Sequence, residues 1–153
     1  MLTVMPKEQV AAQIEAAFAA TPSPGTEYDD ISATKYDDEG IVDYFRDTTW
    51  SGHRVQDLRY HEAALSFFTD KAFRYWLPAF MLAELESPVE ADIIVEGMTF
   101  QLTEANGADA RLREFAPDEL EAIASFCDEC AQRYDDIHCR DAARAVRARI
   151  QKA

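Results

Sequence analysis

Apolar residues recur every three or four positions along most of this chain, and the rhythm stops at proline, glycine or small polar clusters. Val10, Ile14, Ala17 and Phe18 form the first stripe, with Pro6 placed for the first turn of a helix and Pro22 and Pro24-Gly25 closing it. Residues 22–37 read as an irregular acidic loop. Helix is expected to resume near Asp38 and to run through Ile41, Val42, Tyr44 and Phe45, until Thr48-Thr49-Trp50-Ser51-Gly52 breaks it. Residues 55–68 show a further face in Val55, Leu58, Ala64 or Leu65, and Phe68, and Thr69-Asp70 then supplies an N-cap and first turn.

The most apolar run follows, KAFRYWLPAFMLAELES. Its Phe73, Trp76, Leu77, Phe80, Met81 and Leu85 cover well over half of a helix circumference, which predicts a central helix, kinked where Pro78 removes a backbone hydrogen bond. Residues 89–103 read as helix in preference to a strand at Ile93-Ile94-Val95, because no nearby segment alternates as a strand partner would. A loop at residues 105–109 precedes a helix opened by Pro117, with Leu120, Ile123, Ala124, Cys127, Ala131 and Tyr134 on one face. The last helix, from about Arg140, sets Cys139, Ala143, Val146 and Ile150 against Arg140, Arg144 and Arg147. The pattern predicts one all-α domain over residues 1–153, of six or seven helices.

Composition narrows the function classes. Hydrophobic residues make up 48% of the 153, so the chain can bury a core and is not disordered as a whole. Twenty-nine acids against fifteen bases give a net charge of −14. That balance argues against nucleic acid, whose phosphates need clustered Lys and Arg, and against anionic membrane surfaces. It favours a basic partner, or a protein kept soluble by self-repulsion. No stretch approaches the ~20 apolar residues of a membrane span. Ala17-Phe18-Ala19 resembles a signal-peptidase site, but Lys7, Glu8, Gln9, Gln13 and Glu15 break the apolar run that a signal needs, so an amphipathic helix is expected. Three cysteines, an odd number, fit reduced thiols in a bacterial cytoplasm.

Three chemical patterns stand out. Cys127 and Cys130, followed by His138 and Cys139, total four residues of zinc-ligand type, but the cysteines sit on apolar helix faces and read more simply as core; no cofactor is expected. His61-Glu62 resembles the start of a zinc-protease helix, yet the second histidine is replaced by Leu65. Asp57 and His61, four apart, can share a helix face as an acid–base or surface pair. No phosphate-binding glycine loop and no nucleophile elbow are present.

A fourth pattern is acidic. Tyr-Asp-Asp occurs at residues 28–30, 36–38 and 134–136. Between Glu27 and Asp47 eight acids face two bases, a local charge of −6. The spacing does not match a calcium loop. Tyrosine among carboxylates suits recognition of a basic, partly apolar surface, so Tyr28, Asp29, Asp30, Tyr36, Asp37, Asp38 and Glu39 are the expected partner-binding residues. A second acidic run, Glu84, Glu86, Glu90, Asp92 and Glu96, contains no base.

Phe45-Arg-Asp-Thr-Thr-Trp50, a spaced Leu65 and Phe73-Arg-Tyr-Trp-Leu-Pro-Ala-Phe-Met81 together resemble a family of small bacterial proteins of unknown function. In that family a Trp precedes a Phe-x-Tyr-aromatic-Leu-Pro-Ala-aromatic motif. The resemblance spans roughly residues 8–126 in layout and is tight between Phe45 and Leu85. It implies no activity, and in size and charge such proteins are loosely similar to toxin-immunity proteins. By their chemistry, Trp50, Phe73, Trp76 and Phe80 are expected core anchors, with Arg74 and Tyr75 at the surface. The function expected is a non-enzymatic acidic binding protein of the bacterial cytoplasm, an immunity protein that occludes a basic toxin domain. The alternative is a small-ligand binder or enzyme with a pocket at the Pro78 kink near Asp57, His61 and Tyr75.

Overall fold

The computed structural model describes residues 4–37 and 39–152. Asp38, where a helix was expected to resume, lies outside them. Among the described residues the chain is all-α: eleven helices and no strand, with a single isolated bridge between Ser32 and Phe68. Six helices run seven residues or more: α1 (Lys7–Phe18), α6 (Asp70–Glu86), α8 (Ile94–Thr103), α9 (Ala108–Glu114), α10 (Pro117–Tyr134) and α11 (Ile137–Lys152). Five are short: α2 (Tyr28–Ile31), α3 (Ile41–Phe45), α4 (Val55–Tyr60), α5 (Ala64–Phe67) and α7 (Pro88–Ala91).

Six or seven helices was therefore too low a count. Residues 55–68 carry one apolar stripe but are cut by a turn at residues 61–63 into α4 and α5. Residues 89–103 are cut at Asp92, whose φ of 53° is incompatible with a continuing helix. Within residues 22–37, Tyr28–Ile31 forms a helical turn, and the chain beyond it is tied down: Thr69 N donates to Ile31 O at 3.0 Å and Ala33 N to Phe67 O at 2.7 Å. Asp30 packs so closely against Gly25 (φ 113°) that a side chain there would collide with its carboxylate.

The chain divides into two compact units. Unit 2 holds residues 21–98; unit 1 holds α1 and the chain from Thr99 onward, the division falling within α8. In unit 1, α1 and α11 both pack on α10. Val10, Ile14 and Phe18 from α1 are buried, as are Leu120, Ile123, Cys127 and Cys130 from α10 and Cys139, Ala143 and Val146 from α11. Phe18 meets Phe115 edge-on at 6.2 Å.

In unit 2, α2, α4 and α7 pack against α6, which buries twelve of its seventeen residues and continues through Pro78. Thr69 starts it as expected: its Oγ1 accepts from Ala72 N at 3.1 Å and donates to Asp30 O at 2.7 Å. Phe45 stands 5.0 Å from Phe68 and 5.2 Å from Trp76, and the Phe68 and Trp76 rings stack at 5.5 Å. Each such fully buried aromatic contributes about 1.5–3 kcal/mol of transfer free energy. Trp76 Nε1 donates to Thr48 Oγ1 at 3.1 Å, which satisfies the indole and fixes the break after α3. Two aromatic residues differ from expectation. Trp50 is only half-buried, because it lies on the turn after α3, and Tyr75 is buried, because α6 is covered on most of its circumference.

Candidate functional site

The three Tyr-Asp-Asp triplets turn out to punctuate helices. In each, one aspartate accepts hydrogen bonds from backbone N–H groups at a helix start, which carry no intrahelical partner. Asp30 accepts from Glu27 N at 3.0 Å, at the start of α2. Asp37 accepts from Ile41 N at 2.8 Å and Val42 N at 2.9 Å, at the start of α3. Asp136 accepts from His138 N at 2.8 Å, at the start of α11, directly after Asp135 has ended α10 with φ 50°. Tyr28 is likewise occupied, donating from its hydroxyl to Thr34 O at 2.8 Å.

The residues singled out for partner binding therefore separate into two groups. Tyr28, Asp30 and Asp37 hold the backbone. Asp29, Tyr36 and Glu39 are exposed, Tyr36 at 79% of its surface. Asp38 lies outside the described residues. The second acidic run separates too: Glu84 is fully buried, whereas Glu86, Glu90, Asp92 and Glu96 are exposed.

Beside the exposed segment, α3 and α4 assemble a cluster that spacing alone did not reveal. Tyr44, on α3, lies against two imidazoles. Its hydroxyl is 2.7 Å from His53 Nδ1, while His53 Nε2 is 2.7 Å from Thr49 O. A carbonyl can only accept, so His53 carries its proton on Nε2, and in the neutral ring Nδ1 accepts from Tyr44. The Tyr44 ring also stacks on His61 at 4.4 Å, with 29° between the planes. Tyr60, 73% exposed, meets His61 edge-on at 4.9 Å.

The electrostatics of this cluster are uneven. Burial holds the His61 imidazole below its ordinary value, against the opposing charges of Asp57, Glu39 and Asp37. Burial, followed by the charge of Asp57, raises the Tyr44 phenol. Asp57 is held below the usual carboxylate range by the two hydrogen bonds it accepts from Arg54, at 3.0 and 3.1 Å. Asp57 and His61 are thus neighbours in charge, but Asp57 spends its hydrogen bonds on Arg54. Tyr75, expected near them, is buried on α6 against Trp76, while the ring neighbours of His61 are Tyr44, Phe45 and Tyr60.

The cysteine cluster is core. Cys127, Cys130 and Cys139 are buried free thiols, His138 is exposed, and no group of three potential ligands converges on a metal position among the described residues. Burial pushes the Cys127 thiol far above its ordinary value, opposite to what a metal-ligating thiolate needs. No described helix is long and apolar enough to cross a membrane.

Comparison with known proteins gives one match. The model of a family of unknown function, DUF6714, fits residues 6–148, nearly the whole chain, and the chain belongs to that family. No curated protein and no solved structure matches it.

Proposed function

We propose that this DUF6714 member is a non-enzymatic docking protein for a basic protein partner, and that it serves in a bacterial cytoplasm as an immunity protein covering a toxin domain. The observation that carries this reading is the exposed charge and aromatic surface of unit 2: Asp29, Glu39, Glu86 and Glu90 are exposed, as are the rings of Tyr36 and Tyr60. Large aromatics are costly to leave in water, and beside carboxylates they offer both contact area and charge to an Arg-rich surface. Binding would be steric occlusion, with carboxylates steering the encounter.

Tagged protein captured from its native host at low and high salt tests this. The expected result is one basic partner, released by salt and lost when Asp29→Asn and Glu39→Gln are combined. Co-expression should then suppress that partner's toxicity. A partner indifferent to both the substitutions and salt would remove the docking surface; a partner with no toxic activity would remove the immunity role.

A second reading rests on the hydrogen-bonded Tyr44–His53 pair. Such a pair beside Asp57 and His61 could orient a small polar ligand. A metabolite retained by the purified protein, and lost with Tyr44→Phe, would favour it over docking.

A further inference from the structure

His61 is an imidazole among carboxylates that nonetheless lacks a partner for its inner nitrogen. Its Nδ1 is buried and makes no hydrogen bond. A neutral ring can leave a lone pair there at modest cost, with its proton on Nε2. A protonated ring must place an N–H at Nδ1 with nothing to accept it, which is expensive in a buried position. The geometry thus favours the neutral ring. Facing it are Tyr44 on α3, Asp57 and Tyr60 on α4, and Asp37 and Glu39 before α3, with Arg54 bound to Asp57 and His53 bound to Tyr44. The carboxylate charge at this face is therefore not cancelled by its own histidine.

Building on the docking reading, we infer that the Tyr44–His61–Tyr60 face receives an arginine side chain of the partner, and that it binds this side chain more tightly while His61 is uncharged. A guanidinium stacks on aromatic and imidazole planes and donates hydrogen bonds to carboxylates, which are the two kinds of group gathered here. An imidazolium in the same stack repels it and neutralises the nearby acids. One added positive charge within a few ångströms at a half-exposed site weakens binding by about tenfold.

The test uses the whole protein and a capped hexa-arginine peptide at low ionic strength, with affinity measured by calorimetry and ring resonances followed by NMR. The expected result has three parts. The Tyr44, Tyr60 and His61 signals shift on peptide addition. Affinity falls about tenfold between about pH 7.5 and pH 5, in step with the His61 titration seen directly in the same sample. His61→Gln keeps its affinity within about twofold over that range. The wild-type titration stands by itself should His61→Gln fold poorly. Binding that shifts Asp29 and Tyr36 but not His61, or a pH dependence unchanged in His61→Gln, overturns the inference and leaves the docking reading intact. No binding at low ionic strength overturns both.

Discussion

The two units handle charge differently. Unit 2 carries sixteen acids against six bases, a net −10, whereas the rest of the chain carries thirteen against nine, a net −4. In unit 1, arginines lie on carboxylates within and between its helices: Arg113 on Asp109, Arg133 on Glu129, Arg140 on Asp135, Arg144 on Asp141 and Arg147 on Asp128. The arginines that the C-terminal pattern sets out as a basic stripe are thereby spent internally. In unit 2, Arg54 pairs with Asp57 and Arg59 with Asp92, but Asp29, Glu39, Glu86 and Glu90 remain exposed. Self-repulsion of that size destabilises a compact state. Unit 2 must offset it by packing.

The largest effect should come from the packing. Both tryptophans, Trp50 and Trp76, belong to unit 2, so their fluorescence reports on that unit. Phe45 is fully buried between Phe68, Trp76 and Phe80. Phe45→Ala should cost about 3–5 kcal/mol in urea unfolding followed at the tryptophans. A loss below about 1 kcal/mol would mean that the aromatic cluster is not what offsets the charge.

Next in size is the division of the acidic segment into caps and free acids. Asp37→Ala leaves two helix-start N–H groups without their acceptor and should cost about 1–2 kcal/mol. Asp29→Asn should change stability by less than about 0.5 kcal/mol, while slowing association with a basic partner. Thermal unfolding and association rates, measured on the same pair of variants, would rank them in opposite orders. Identical rankings would erase the distinction.

That distinction was only partly legible in the sequence. The all-α class, the Thr69 cap and the apolar face of α6 follow from local periodicity and capping chemistry, and the structure has them. The helix count does not follow, because a stripe such as Val55 to Phe68 looks the same whether or not three residues at its centre turn the chain. Nor do the roles within each triplet. Asp29 and Asp30 are adjacent and chemically identical, and only the path of the backbone decides which of them meets Glu27 N. The Tyr44–His53–His61 cluster was harder still, since its members come from α3, a turn and the end of α4. The one local signal was the four-residue spacing of Asp57 and His61, and in that pair His61 N donates to Asp57 O at 3.1 Å while the Asp57 carboxylate accepts from Arg54.

A smaller effect concerns His61 and pH. The unfolded imidazole takes up its proton near 6.5, while burial delays that step in the folded chain. As pH falls below 6.5, the unfolded state binds more protons than the folded one, so stability is lost until the folded ring also titrates. Wild-type stability should therefore slope downward through this window, and His61→Gln should be flatter there. Equal slopes in urea titrations at several pH values would show that the ring is already solvated.

The smallest effect tests the other side of the comparison. Arg147 and Asp128 join α11 to α10 but remain part-exposed, their side chains at 50% and 33%. A double-mutant cycle with Arg147→Ala and Asp128→Ala should give a coupling of about 0.2–1 kcal/mol, fading in molar salt as screening shortens to about 3 Å. A coupling that survives such salt would mean the pair is shielded and that unit 1 depends on its ion pairs for stability. A weak, salt-sensitive coupling would mean that pairing in unit 1 chiefly neutralises charge. The exposed carboxylates of unit 2 would then stand in contrast to the arginine-bound carboxylates of unit 1.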